Sequence, residues 1–213
     1  RWLSDWSSDV CSSDLQQTKP PALDFIFSTG GTGRDFETLI KAFQKIDFNL
    51  KITTKRDEKL NTNIPSNVWI DNTVKPGLHS VGLIRKDYYN SLAVAIALQK
   101  TGQLWPVGIT VIMEALAMSK PIISTVNDMY PFDLEKEKVG FYVDYYDVNG
   151  WIDRVTYLAN NPNDAREMGE RGRYLCEKKY NYNIFSHGVI SQVKKHVVIE
   201  KKDINKNKVP VTV

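Results

Sequence analysis

The residues best suited to chemistry lie where a Pro and a Gly open a helical block: Pro106-Val107-Gly108-Ile109-Thr110, with Glu114 one turn further along. A glycine-led helix start leaves backbone N–H groups free, here those of Gly108, Ile109 and Thr110, and such a terminus attracts anions, phosphate above all. Glu114 falls on the same helical face as Thr110. A carboxylate there repels phosphate but can accept hydrogen bonds from hydroxyls, as on a ribose. The plainer alternative is an ordinary glycine-started helix carrying a solvated glutamate.

A second glycine turn, Thr29-Gly30-Gly31-Thr32-Gly33, is followed at once by Arg34. Gly30 and Gly31 would let the backbone approach a ligand closely, and the Arg34 guanidinium could meet phosphate oxygens in bidentate fashion. Lys55, at the end of the second predicted strand, adds to the same basic edge. A dinucleotide fingerprint fits poorly, because Phe36 stands where a third small residue is needed and Lys55-Arg56 stands where an acid should hold a ribose. No G-x-x-x-x-G-K-[ST] occurs, so a Walker loop is excluded. Two helix N-termini at about 0.3–1 kcal/mol each, with an arginine pair at roughly 1.5–3 kcal/mol, suffice to hold a diphosphate without a metal ion. Arg34 could instead be a surface residue paired with Asp35 or Glu37.

Other reactive side chains form no pattern. His79, His187 and His196 are far apart with no ligand spacing, and Asp71, Asp128 and Asp133 are given no role. Phe141, Tyr142, Tyr145, Tyr146 and Trp151 read as packing aromatics rather than a sugar platform. Asp5–Leu15 is what a sequencing-library adaptor yields on translation, so residues 1–15 are expected to be non-native and the natural protein to begin upstream. The 213 residues carry 28 basic and 25 acidic groups; without Arg1, Asp5, Asp9 and Asp14 the balance is 27 to 22, or +5. Much of that excess lies in Lys194–Lys208, and the rest is mixed, which argues against a nucleic-acid binder. Cys176 is then the one cysteine left, which rules out an internal disulfide or a cysteine-based zinc site and suits a reducing compartment. No apolar run approaches the roughly 18 residues of a membrane span. A soluble cytoplasmic domain is expected, whose basic tail could touch an anionic membrane at its inner face.

These loops need elements to hold them. Apolar alternation and runs predict strands at 23–28, 50–54, 67–71, 91–98, 122–125 and 140–144. Helical periodicity places helices at 35–46, 77–90, after Gly108 and up to Lys120-Pro121, and at 149–159, 163–179 and 184–196, with a short turn within 131–138. Strands alternating with helices give a doubly wound, mostly parallel α/β sheet, Rossmann-like, with closing C-terminal helices. The predicted division is a linker at 16–22, one domain at 23–198 and a polar, disordered tail at 199–213. Ligands of such sheets sit beyond the strand C-termini at the switch point. That edge would gather Gly30–Arg34, Lys55-Arg56, Asn72-Thr73, Gln99–Gly108 and Val126–Pro131.

The stretches Phe27-Ser-Thr-Gly-Gly…Arg34–Phe43, Gly108–Thr125, Val139–Val143 and Asn161-Pro-Asn…Met168–Arg173 resemble the C-terminal half of GT-B, group-1 (GT4-like) retaining glycosyltransferases. The resemblance covers roughly 23–185, and Glu114-Ala-Leu-Ala-Met-Ser-Lys-Pro-Ile-Ile123 is its most specific part. It implies a domain that binds a nucleoside-diphosphate sugar, requires no metal or other cofactor, and transfers the sugar with retention to an unknown acceptor: a glycan, a lipid or a small molecule. By position Gly30, Gly31 and Arg34 would meet the diphosphate, the N–H groups after Gly108 the phosphate or sugar, and Glu114 the ribose. A separate N-terminal domain, absent here, would complete the acceptor site. The family often carries two glutamates eight positions apart; the earlier position here is Pro106, with Gln103 and Trp105 in its loop. Ser119 replaces a common Gly and is expected to matter little. Two rival readings are a non-catalytic nucleotide-sugar-binding subunit and a sugar-nucleotide epimerase.

Overall fold

A computed structural model describes residues 22–54, 60, 62–72, 81–100 and 106–206. In order the elements are β1 (Phe25–Thr29), α1 (Phe36–Phe43), β2 (Asn49–Thr53), β3 (Val68–Asp71), α2 (Val81–Asn90), β4 (Ala93–Ile96), α3 (Ile109–Ala117), β5 (Ile122–Thr125), β6 (Gly140–Val143), α4 (Val148–Asn160), α5 (Pro162–Lys178) and α6 (Tyr182–Lys206). The chain divides into two compact units at Glu177/Lys178. The first holds the whole sheet; the second, in its described part, is essentially α6.

The sheet has six strands in the order β3-β2-β1-β4-β5-β6, and every neighbouring pair is parallel. Winding reverses between β1 and β4, so the chain leaves those two adjacent strands in opposite directions. Their seam is short: β1 meets β2 over five register pairs but β4 over two, Ile26↔Ala93 and Phe27↔Val94.

Parallel strands covered on both faces must be apolar throughout, and residues 91–98 are buried without a break. On one face Ile26, Leu50, Ile52, Ala93, Ala95, Ile123 and Val143 pack with Phe36, Leu39 and Phe43 of α1 and Trp151, Val155 and Leu158 of α4. Trp151 is 1% exposed, so that aromatic is core. On the other face Phe27 meets Tyr88 of α2 edge-on at 4.9 Å. There α5 closes against the end of α3 through two glycines. A Cβ on Gly169 would fall on the Ser119 carbonyl, and one on Gly172 would lie 2.7 Å from Leu116 Cδ2.

Helix ends follow local chemistry. Asp35 caps α1 by accepting from the Thr38 N–H at 3.1 Å, and Asp147 caps α4 through Gly150 at 2.9 Å. The end of α3 closes as a Schellman motif: the Lys120 N–H reaches the Ala115 carbonyl at 2.9 Å and the Ser119 N–H that of Leu116 at 3.1 Å. This corrects the expectation for Ser119. It occupies the left-handed position at φ 55°, where glycine is the unstrained residue, so the side chain carries a conformational cost.

Lys120, 7% exposed, donates to the Tyr89 carbonyl at 2.7 Å and the Ser91 carbonyl at 2.8 Å, tying the α3–β5 turn to the α2–β4 connection. Burial pulls its ammonium pKa down to about 8. In the second unit, α6 continues past the predicted end at His196 to Lys206. Polarity argued for a loose tail, yet no Pro or Gly follows Gly188 until Pro210, so nothing in the Lys-rich run breaks a helix.

Candidate functional site

Two turns meet at the strand C-termini beside the β1–β4 seam. The first, residues 30–34, is docked on the segment after β4: the Asp35 N–H donates to the Ala97 carbonyl at 3.0 Å, and the Gln99 N–H to that of Gly33 at 2.9 Å. The second is the Pro106–Gly108 turn that starts α3. Gly33, at φ 65°, comes within van der Waals reach of Val107, so a Cβ there would sit 3.4 Å from a Val107 methyl. Both turns therefore belong to one surface, as the strand order requires.

Gly30 is shaped by its own turn. Its φ of 114° and missing side chain make room for Arg34 itself, whose Nη2 would lie 2.5 Å from an added Cβ. Gly31, by contrast, has open space where a Cβ would go. Arg34 is 4% exposed and is not the surface residue of the alternative reading. Its Nε donates to the Thr29 carbonyl at 3.0 Å and its Nη1 to that of Thr32 at 3.4 Å. Those bonds lock the guanidinium in place and leave Nη2 without a hydrogen bond among the described residues. Burial lowers the guanidinium pKa, while the neighbouring Tyr130, Tyr88 and Glu114 raise it.

The start of α3 is as open as a glycine cap allows. Gly108 takes the N-cap at φ 92°, with no side-chain cap. The Ile109 N–H, expected to be free, instead donates to the Pro106 carbonyl at 3.3 Å, because the left-handed Gly108 folds the chain back on itself. The N–H groups of Gly108 and Thr110 make no hydrogen bond among the described residues. An added Cβ on Gly108 would lie 3.9 Å from Arg34 Nη1, so the guanidinium and the helix start share one small space. A cation and an open helix N-terminus side by side form a site for a multiply charged anion.

Glu114 lies deeper on α3. Its Oε2 accepts from the Tyr88 hydroxyl at 2.5 Å. Burial raises its pKa above the ordinary carboxylate range, opposed by that hydrogen bond and by the Arg34 charge. Tyr130, from the loop after β5, holds the second turn: its hydroxyl donates to the Val107 carbonyl at 3.2 Å and lies 3.0 Å from Ser124 Oγ. Asn127 Nδ2 reaches the same carbonyl at 3.4 Å. Lys55, Arg56, Thr73, Gln103 and Trp105 lie outside the described residues, as does His79. His187 and His196 are exposed on α6. Among the described residues no group of His, Cys, Asp and Glu is placed to hold a metal ion, and no helix is long and apolar enough to cross a membrane.

Sequence reasoning missed the two tyrosines as structural partners of the site. A signal was present for Tyr88, the polar aromatic on the apolar face of α2: a buried phenol needs a hydrogen-bond partner.

No protein-family model matches the sequence, and neither does any curated protein. Solved structures do match in fold. Sucrose-phosphate synthase from Thermosynechococcus elongatus superposes with a TM-score of 0.65 at 16% identity, over 93% of this chain and 49% of that one. The Anabaena protein HepE, in complex with UDP and glucose, gives 0.64 at 11% identity over 81% of this chain and 48% of that one. This chain thus spans about half the length of each. The C-terminal domain of a group 1 glycosyltransferase family protein, LpcC, from Francisella tularensis gives 0.54 at 17% identity, over 78% of this chain and 91% of that domain. The fold carrying the two turns is therefore the Rossmann-like α/β sheet of GT-B glycosyltransferases.

Proposed function

We propose that the chain is the donor-binding half of a retaining, metal-independent glycosyltransferase that uses a nucleoside-diphosphate sugar. The observation that carries this reading is the buried Arg34 guanidinium set beside the uncapped start of α3. Arg34 and the Gly108 and Thr110 N–H groups would bind the diphosphate and stabilise the charge that develops on it as the sugar departs. Fixed donors of this kind act without reorganising during the reaction. Glu114 would accept hydrogen bonds from the ribose. The fold match to HepE, solved with UDP and glucose, and to a TarM variant from S. aureus, solved with UDP and fondaparinux, supports a nucleotide-sugar donor and a glycan acceptor. The acceptor site and remaining catalytic groups would come from an N-terminal domain.

Calorimetry with UDP, GDP and ADP tests the reading. One of them should bind, and Arg34→Ala should weaken it by about 10- to 100-fold, the worth of a charge-assisted pair. Absence of binding to all three refutes it. Pro106, where the family often has a glutamate, favours one second reading, a nucleotide-sugar-binding subunit without turnover. Sugar transfer by a chain with its N-terminal domain restored would decide against that.

A further inference from the structure

Tyr88 is 2% exposed, its ring pinned edge-on against Phe27 at 4.9 Å and its hydroxyl directed at Glu114 Oε2 at 2.5 Å. Burial, reinforced by the adjacent carboxylate, lifts the phenol's pKa well above its ordinary value. The proton therefore stays on Tyr88, and Glu114 remains the acceptor. Glu114 is held through one oxygen only: Oε1 accepts no hydrogen bond from the described residues.

The arrangement settles a competition. Glu114 and Arg34 are close enough to influence one another electrostatically. A glutamate free to turn toward the guanidinium would neutralise the cation that a diphosphate needs. A phenol fixed in the core supplies a local claim on one carboxylate oxygen and leaves the other without a hydrogen bond among the described residues.

We propose that Tyr88 is the positioning residue that aims Glu114 at the ribose hydroxyls, and that the Tyr88–Glu114 pair makes the site select ribonucleotides over their 2′-deoxy forms. The inference rests on the nucleotide-sugar reading of the same site. The underlying physics is that a buried acceptor left without its hydroxyl discriminates strongly against the analogue that lacks it.

The test is a set of titrations of the full chain with UDP, GDP and ADP and with their 2′-deoxy counterparts. The wild type should prefer the ribose form of its nucleotide by about 10- to 100-fold, the worth of a hydrogen bond to a charged group. Tyr88→Phe, which keeps the ring and its contact with Phe27, should shrink that ratio to within about threefold of unity, as should Glu114→Gln. The double variant should match Glu114→Gln, because Tyr88 acts through the carboxylate. Thermal melts establish that each variant is folded. Should Tyr88→Phe not fold, Glu114→Asp, which withdraws the carboxylate from the phenol by one methylene, must lose the preference instead. A Tyr88→Phe ratio equal to wild type, or an equal loss of affinity for both sugar forms, marks a purely structural tyrosine and overturns the proposal. A wild type that binds no nucleotide overturns the underlying function instead, so the two failures are told apart.

Discussion

Replacing Gly108 by alanine should damage the protein in a way that replacing Gly31 does not. Gly108 has φ 92° and ψ −11°, a conformation that costs an L-residue about 1–2 kcal/mol. The new methyl would also stand 2.9 Å from both Ile96 Cγ2 and the Tyr130 hydroxyl, closer than ordinary contact. Ile96 is fully buried between strands and has nowhere to go. Tyr130 can retreat only by giving up its contacts with Val107 and Ser124. Overpacking of this kind costs about 1–3 kcal/mol, so Gly108→Ala should lose about 2–5 kcal/mol in all, a large share of a typical domain's 5–15 kcal/mol. Gly31 is the control: an added Cβ meets nothing within 4 Å, and Gly31→Ala should stay within about 0.5 kcal/mol of wild type. Urea unfolding, followed by the fluorescence of buried Trp151, measures both. Equal midpoints for Gly108→Ala and wild type, or equal damage from the two alanines, would refute the argument.

Two further outcomes follow from the end of α3. Ser119→Gly relieves a left-handed serine worth about 1–2 kcal/mol, offset by the extra freedom of glycine in the unfolded chain; a net gain of about 0.5–1 kcal/mol is expected in the same urea assay, and a loss would show the Schellman turn to be unstrained. Lys120 has a folded pKa of about 8 against an ordinary 10.5, so the unfolded chain binds more protons between those values. Stability therefore rises with pH from about 8 to 10.5, by up to about 3 kcal/mol, and levels off below 8 where both states hold the proton. Lys120→Met removes the dependence, and the difference between the two unfolding free energies should shift by about 2 kcal/mol between pH 8 and 10; a flat difference would mean that the buried ammonium keeps its proton.

Much of the fold was legible because local signals agreed. β5 was bounded to the residue, since Lys120-Pro121 stops a helix and Ile122–Thr125 is a buried β-branched run. α1 announced itself through Phe36, Leu39, Ile40 and Phe43 on one face. The two glycine turns were found for a similar reason, as the left-handed φ of Gly30, Gly33 and Gly108 favours glycine. What could not be read was set by tertiary contact. Helical periodicity makes Tyr88 a core residue and is silent about a glutamate on another helix. Whether Arg34 met a ligand or a surface acid was open in the sequence, and its burial against its own turn carbonyls comes from the docking of residues 33–35 on 97–99. α6 runs past its predicted end at His196 because no Pro or Gly from Val189 to Lys206 breaks the helix.

The seam between β1 and β4 has a consequence for how the molecule acquires its site. β1, which leads into the first turn, and β4, whose following segment docks it, meet across just two register pairs, Ile26↔Ala93 and Phe27↔Val94, contributed by segments far apart in the chain. Closing a loop of that length is slow, and parallel pairing rewards it only once both strands are in place. The pocket thus comes into being in the same step that joins the two halves of the sheet. A ligand that needs both turns finds no partial pocket on a half-folded chain, so its whole binding energy is added to the stability of the closed sheet.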